Sequence, residues 1–213
     1  MTINEAILAR HSVRSYESRP VPDDLRAEIE KAVDSANNES GLHIQVLWDQ
    51  PQVFAGKIKG AENGIILIGK KSPDLEDRLG YYGAKVMMQL QMLGLNSVWV
   101  AMSFNKKEAA ALCTLAEGES IINAIAFGYG TTQGVAHKSK PVERCMNVKG
   151  DVPEWFAKGM EAAMLAPTAI NQQQFVFSLD GEKVSAKAKL GPFSKVDLGI
   201  VKYFFEIGSG KKV

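Results

Sequence analysis

Three short segments concentrate side chains able to hold an anion or the polar edge of a planar ring. The first is RHSVRSY over 10–16, in which Arg10, Ser12 and Arg14 alternate. In extended chain such residues point to one side, and two guanidiniums beside a hydroxyl make a fork suited to a phosphate or another oxyanion. A solvated basic turn has the same composition. The second is HKSK over 137–140, where Lys138 and Lys140 form another alternating pair of cations. The third is APTAINQQQF over 166–175, in which Pro167 ends a helix and Thr168, Asn171 and the glutamines offer neutral donors and acceptors. Such groups suit a heteroaromatic edge, which presents several acceptors and one N–H, although a polar loop after a helix is also common.

Other chemistries are disfavoured. The turn Gly128 to Gly130 precedes HKSK, but the next glycine, Gly134, comes one residue late for a dinucleotide-binding G-x-G-x-x-G, and no helix pattern opens after it. The 2 cysteines, Cys113 and Cys145, show no paired motif, and the 3 histidines, His11, His43 and His137, lack ligand spacing. No metal site and no disulfide framework is therefore expected. With 25 basic and 24 acidic residues in 213 the net charge is +1, which argues against nucleic acid or an anionic membrane surface as partner. Apolar runs such as Ile65 to Ile68 are strand-sized and the N-terminus reads as an amphipathic helix, so a cytoplasmic location without a membrane span is the expectation. The 46% hydrophobic and 23% charged content fits a globular chain.

The elements that must position these segments follow from periodicity and caps. Thr2 with Glu5 forms a capping box that opens a helix to about Ala9. A second helix starts at Val21-Pro22-Asp23-Asp24, with Leu25, Ile29 and Val33 on one face, and gives way to a polar stretch from Ser35 to Gly41. Strand, short helix and strand are expected over 44–48, 52–59 and 65–68. A helix capped at Ser72 and rich in methionine then runs to Leu93, its crowded apolar positions marking a central, buried element. Strand (97–102), helix (105–115) and buried strand (121–127) come next. The last third reads helix (153–165), loop, strand (174–179), an Asp180-Gly181 turn, a weak strand and a helix capped by Ser194.

That third partly repeats the first. Laid without gaps with Val152 against Val21, Glu30 falls on Glu161, Ala32 on Ala163, Ile44 on Phe175 and Val46 on Phe177. Identity is low, and two unrelated helix-strand units can look this similar.

Taken together, and in this order, the segments resemble the FMN-dependent nitroreductase family. RHSVRSY resembles its N-terminal flavin-binding motif, and APTAINQQQF its A-P-S-x-x-N-x-Q-P-W signature. YYGAKVMMQLQMLGLNSVWVA (81–101) is similar to its central helix followed by Gly-Leu and a strand, and HKSKPVE to its late basic pair. The resemblance covers essentially the whole chain. It implies an α+β, three-layer fold with a mixed, mostly antiparallel sheet flanked by helices. One departure stands out: the A-P-S-x-x-N motif normally comes early and serves the partner subunit's flavin, whereas here 34–40 lacks it and the good copy lies at 166–175. This suggests a divergent single-chain branch in which 1–213 is one domain with pseudo-repeat halves of about 1–140 and 141–213. Such a chain would be a monomeric pseudo-dimer or a weak homodimer.

The resemblance also implies roles. Arg10, Ser12, Lys138 and Lys140 would hold the FMN phosphate, Arg14 would sit near the pyrimidine edge, Pro167, Thr168 and Asn171 would line the ring, and His11 would also belong to the cofactor site. No side chain would act as nucleophile or general acid. NADH or NADPH would be the electron donor, and a nitroaromatic, a quinone or another small molecule the acceptor. A flavin-binding protein with little turnover, or a scaffold of this fold that has lost FMN, carries the same motifs. Lys57 and Lys59 fall near a further ring-facing polar position of the family.

Overall fold

A computed structural model describes residues 1–54, 56 and 58–213. Its α-helices among the described residues are α1 (Ile3–Ala9), α2 (Asp23–Ser40), α3 (Leu75–Met92), α4 (Lys106–Leu112), α5 (Glu154–Leu165) and α6 (Ser194–Ser209). Its strands are β1 (Gln45–Leu47), β2 (Asn63–Lys70), β3 (Asn96–Val100), β4 (Glu119–Gly128), β5 (Met146–Val148), β6 (Phe175–Asp180) and β7 (Lys183–Ala188). The class is α+β as expected, with the strands divided between two sheets: an antiparallel one in the order β1-β2-β4-β3 and a mixed one in the order β5-β6-β7. No described helix is long and apolar enough to cross a membrane.

The central helix is α3. Its Leu79, Ala84, Met87, Met88 and Leu90 are completely buried, so the methionines fill core. It packs most extensively against α6, which in turn packs on α5. Phe156, Phe177 and Phe205 complete this side of the core, with Phe177 stacked on Phe205 at 4.6 Å between ring centroids. The order helix, strand, strand, helix occurs twice, as α2-β1-β2-α3 and α5-β6-β7-α6. Pro22 and Pro153 precede α2 and α5 with nearly the same backbone angles. Ile29 and Val33 of the first helix and Met160 and Met164 of the other are all buried.

Boundaries differ from expectation where side-chain hydrogen bonds decide them. The polar stretch after Val33 remains helical to Ser40, because the Ser40 hydroxyl bonds back to the Ala36 carbonyl and Gly41, at φ +67°, closes the helix onto Asn37. The Ser72 hydroxyl donates to Asp74 instead of capping, so α3 starts at Leu75. Phe193, not Ser194, is the cap residue of α6, at φ +58°. The short helix expected over 52–59 is a single turn, Pro51–Phe54, and Ala55 and Lys57 lie outside the described residues. β5 was not anticipated: at three residues it is too short to show periodicity, and it exists by pairing parallel to β6.

Candidate functional site

Arg10 closes α1, its N–H bonding to the Ala6 carbonyl, and from there the chain runs extended along the free edge of β3. Ser12 bridges Ser97, Ser15 bridges Lys59 and Tyr16 bridges Gly130. Val13 and Tyr16 are buried on the inner side, and the Tyr16 hydroxyl donates to the Val13 carbonyl at 2.8 Å. Burial pushes the Tyr16 phenol far above its usual range, so it stays a neutral donor. Ser12 and Arg14, on either side of Val13, line the clefts described below. Gly134, at φ +73°, comes so close that a Cβ there would lie 2.8 Å from the His11 Cβ; only glycine lets the two segments meet.

The loop after α5 closes the site from the C-terminal third. Three of its residues have left-handed backbone, Ile170 (φ +47°), Asn171 (φ +56°) and Gln173 (φ +45°). Hydrogen bonds hold them there. The Gln173 N–H donates to the Thr168 hydroxyl at 3.1 Å and the Gln173 amide to Asn171 Oδ1 at 3.2 Å. Asn171 Nδ2 donates to the Lys138 carbonyl at 2.8 Å, and the Lys140 N–H to Gln173 Oε1 at 2.7 Å. The HKSK and APTAINQQQF segments are therefore laced together through main chain and amides.

Two adjoining clefts result. The smaller, of about 260 Å³, is lined by Arg10, His11, Ser12, Arg14, His137 and Asn171, together with Pro167 and Thr168, and no carboxylate lines it. The larger, of about 390 Å³, shares Ser12, Arg14, Pro167, Thr168 and Ile170 with it and continues between the end of β3 and the start of α6. Val98, Val100, Phe193, Val196 and Ile200 give this part its apolar character. Ser97 turns its backbone toward the RHSVRSY segment, so alternation points the N–H and carbonyl of Trp99 outward from the sheet as well. An open depression of about 830 Å³ around Lys71, Pro73 and Lys195 contains none of the motif residues.

Electrostatics separate the two ends. Arg10 is 3% exposed; its side chain donates from Nη2 to the Leu165 carbonyl at 3.4 Å and has no partner at Nε among the described residues. Burial pushes its pKa down to about 10, still protonated at neutral pH. A buried guanidinium with an unused donor and no carboxylate on its cleft is short of an anion. His11 is held below the usual imidazole range, chiefly by burial and then by Arg10 and His137. His137 is oriented by its Nε2 contact of 2.9 Å with the Met164 carbonyl. This donor set fits a phosphate monoester, and the wider apolar cleft beside it fits a flat ring system, which together are the two ends of FMN.

Of the residues expected from sequence, Arg10, His11, Ser12, Arg14, Pro167, Thr168 and Asn171 come together on these clefts. Lys138 meets them through its carbonyl. The Lys140 ammonium donates to the Gln172 carbonyl, and Lys140 lines a separate cleft with Met146, Met160 and Met164. Lys59 serves through its backbone, on Arg14 and Tyr16, and Lys57 lies outside the described residues. Two buried polar residues of the larger cleft were missed, Asn123 and Asp197, both 3% exposed. Each breaks an apolar pattern, Asn123 within Ile121 to Phe127 and Asp197 on the buried stripe of α6, and that interruption was the available signal. Asn123 Oδ1 has no hydrogen-bond partner among the described residues.

A family model described as "Putative TM nitroreductase" matches residues 2–209. Among solved structures, a Thermotoga maritima protein described as a "putative nitroreductase" superposes with TM-score 0.67 at 22% identity, covering 98% of this chain and 83% of that one. A Desulfovibrio desulfuricans nitroreductase-family chain solved with FMN gives 0.56 at 20% identity, over 72% of this chain and 99% of its own. A Bacteroides thetaiotaomicron chain whose name reads NADH dehydrogenase/NAD(P)H nitroreductase gives 0.54 at 20% identity, over 67% and 94%. At these identities the structural likeness speaks for the fold. No curated protein matches the chain.

Proposed function

The chain belongs to the TM nitroreductase family, and from that premise we propose that it is an FMN-dependent oxidoreductase that takes hydride from NADH or NADPH and reduces a small planar acceptor, such as a nitroaromatic or a quinone. The observation that carries this reading is the buried Arg10, with an Nε donor that has no partner among the described residues, in the wall of a cleft whose described lining holds no carboxylate and which adjoins an apolar one.

In this reading Arg10, His11 and Ser12 hold the phosphate, with charge-assisted hydrogen bonds worth roughly 1.5–3 kcal/mol each before desolvation. Arg14, on the wall common to both clefts, provides positive charge where the ring begins, which favours an anionic reduced state. Pro167, Thr168 and Asn171 line the ring from the C-terminal third. The Lys140 ammonium is taken by the Gln172 carbonyl, and Lys138 accepts the Asn171 amide at its own carbonyl. FMN, when bound, supplies the hydride chemistry. The chain supplies binding, orientation and charge, and needs no nucleophile of its own. The name of the Bacteroides neighbour is consistent with a nicotinamide donor. The twofold helix-strand-strand-helix order supports a pseudo-dimer whose C-terminal half completes the flavin site in cis.

The test is the visible spectrum of the purified protein, followed by anaerobic addition of NADH or NADPH and then a quinone. Flavin bands that bleach and return, weakened in Arg14→Ala and Asn171→Ala, are expected. Protein that neither carries nor binds FMN sinks the reading.

A further inference from the structure

Asp197 lies on the buried face of α6, at the wall of the larger cleft. Its Oδ1 accepts the Ala169 N–H at 2.9 Å and its Oδ2 accepts Gln172 Nε2 at 2.7 Å. The same Gln172 Nε2 donates to the Pro192 carbonyl at 2.6 Å. One carboxylate therefore ties three wall segments together: the turn Ala169–Asn171, the Pro192-Phe193 corner and the helix itself. The two bonds flank Ile170 and Asn171, both left-handed, a conformation that a β-branched residue keeps only when its surroundings enforce it.

We propose that Asp197 is the positioning residue that sets the Thr168–Asn171 wall, and through it the affinity of the site for a flavin ring. The inference rests on the oxidoreductase reading above.

A purely structural role explains Asp197 poorly. Among the described residues its side chain forms no ion pair and makes no hydrogen bond to a cation; its partners there are one backbone N–H and one amide. The charged and titratable groups on the same clefts and on the packed helices include Arg14 on the larger cleft, His11 and His137 on the adjoining one, exposed Lys195 on α6, and Asp77 of α3, which is paired with Lys202. Burial pushes the carboxyl up to about 6, so near neutral pH the chain holds an ionised, desolvated group at a cost to its stability. An apolar or amide side chain would avoid that cost, as at other buried positions of α6. Retaining a destabilising ionisable group on a cleft wall fits a site that needs both acceptor oxygens. Asparagine cannot replace them: its Nδ2 would face Gln172 Nε2, and turning Gln172 round would leave the Pro192 carbonyl without its donor.

The experiment titrates the full-length purified protein with FMN and with riboflavin, following flavin fluorescence, and records the visible circular dichroism of the bound flavin. Asp197→Asn is expected to raise both dissociation constants by about ten-fold, equally for the two ligands, because the wall serves the ring and not the phosphate. The dichroism should change, and the flavin-free variant should melt no lower than the parent at pH 8. Equal affinities and dichroism in parent and variant overturn the proposal. Gln172→Ala removes the other half of the clasp without touching α6. If Asp197→Asn does not fold, unchanged flavin affinity in Gln172→Ala overturns the proposal and weakened affinity supports it. A parent that binds neither flavin overturns the oxidoreductase reading, and this one with it.

Discussion

Gly80 on α3 and Gly199 on α6 face each other where the two helix backbones touch. A Cβ on Gly80 would lie 2.0 Å from the Val196 carbonyl oxygen, and one on Gly199 would lie 1.8 Å from that of Asp77. This approach seats the first turns of α6, and with them Phe193, Val196 and Asp197, against the cleft. Gly199→Ala must push backbone against backbone, which no rotamer change can relieve. We expect destabilisation of about 3 kcal/mol, near the upper end for overpacking, and a Tm lower by roughly 6–12 °C. A melt within 2 °C of the parent, as a rough limit of the same scale, would show that the helices can part without cost.

Arg10 separates the cofactor's phosphate from its ring in a single substitution. Because Arg10 lines the small cleft and not the larger one, Arg10→Gln should weaken FMN binding by about 10- to 100-fold and riboflavin by less than about two-fold. Parallel titrations of the two ligands check this. Equal loss for both would move Arg10 from ligand contact to support of the Leu165 carbonyl.

How much of this was legible in the sequence depended on range. The capping box at Thr2, the helical stripe Ile29–Val33 and the apolar run of β2 are local signals, and each lies within an element of the type read from it. RHSVRSY was legible as an extended segment because alternation alone sorts Val13 inward and Ser12 and Arg14 outward. Lys140 was harder to read because alternation says which side a cation takes, not what lies there; its ammonium meets the Gln172 carbonyl. The inner wall of the larger cleft was hidden for the same reason. Asn123 and Asp197 come from a strand and a helix that meet only through long-range packing. The division of the strands into two sheets is likewise set by pairings between distant segments.

Ile170 shows strain that can be released. It is 88% exposed and left-handed at φ +47°, so its side chain contributes little burial while the backbone conformation costs about 1–3 kcal/mol. Ile170→Gly removes that cost and gives back part of it through the greater freedom of the unfolded chain. The net expectation is a gain of about 1 kcal/mol, read as a Tm roughly 2–4 °C higher in the flavin-free protein. A lower Tm would mean that the side chain packs in solution.

Asp197 predicts how stability varies with pH. Its folded pKa of about 6 exceeds the ordinary 3.8, so the folded state binds the proton more tightly than the unfolded chain does. The resulting stabilisation is fully present below pH 3.8 and is lost as pH rises through 6. Its size is at most about 3 kcal/mol. Asp197→Asn should therefore remove a downward slope in stability between pH 4 and 7, seen by comparing urea melts of parent and variant across that range. A parallel pair of profiles would refute the assignment.

The two helix-strand-strand-helix units raise the question of how many flavins one chain holds. The first unit is preceded by Arg10, Ser12 and Arg14. In the register that sets Val152 against Val21, the second offers Pro141 and Cys145 where the arginines stand. Cys145 is completely buried, at the end of the turn Val142–Arg144 that leads into β5. No cation replaces Arg10 there, so the second unit can supply a wall but not a phosphate site. Purified protein saturated with FMN and gel-filtered should carry flavin and chain in a ratio near one, by absorbance against amino-acid analysis. A ratio near two would require a second phosphate site and would refute the division of labour between the halves.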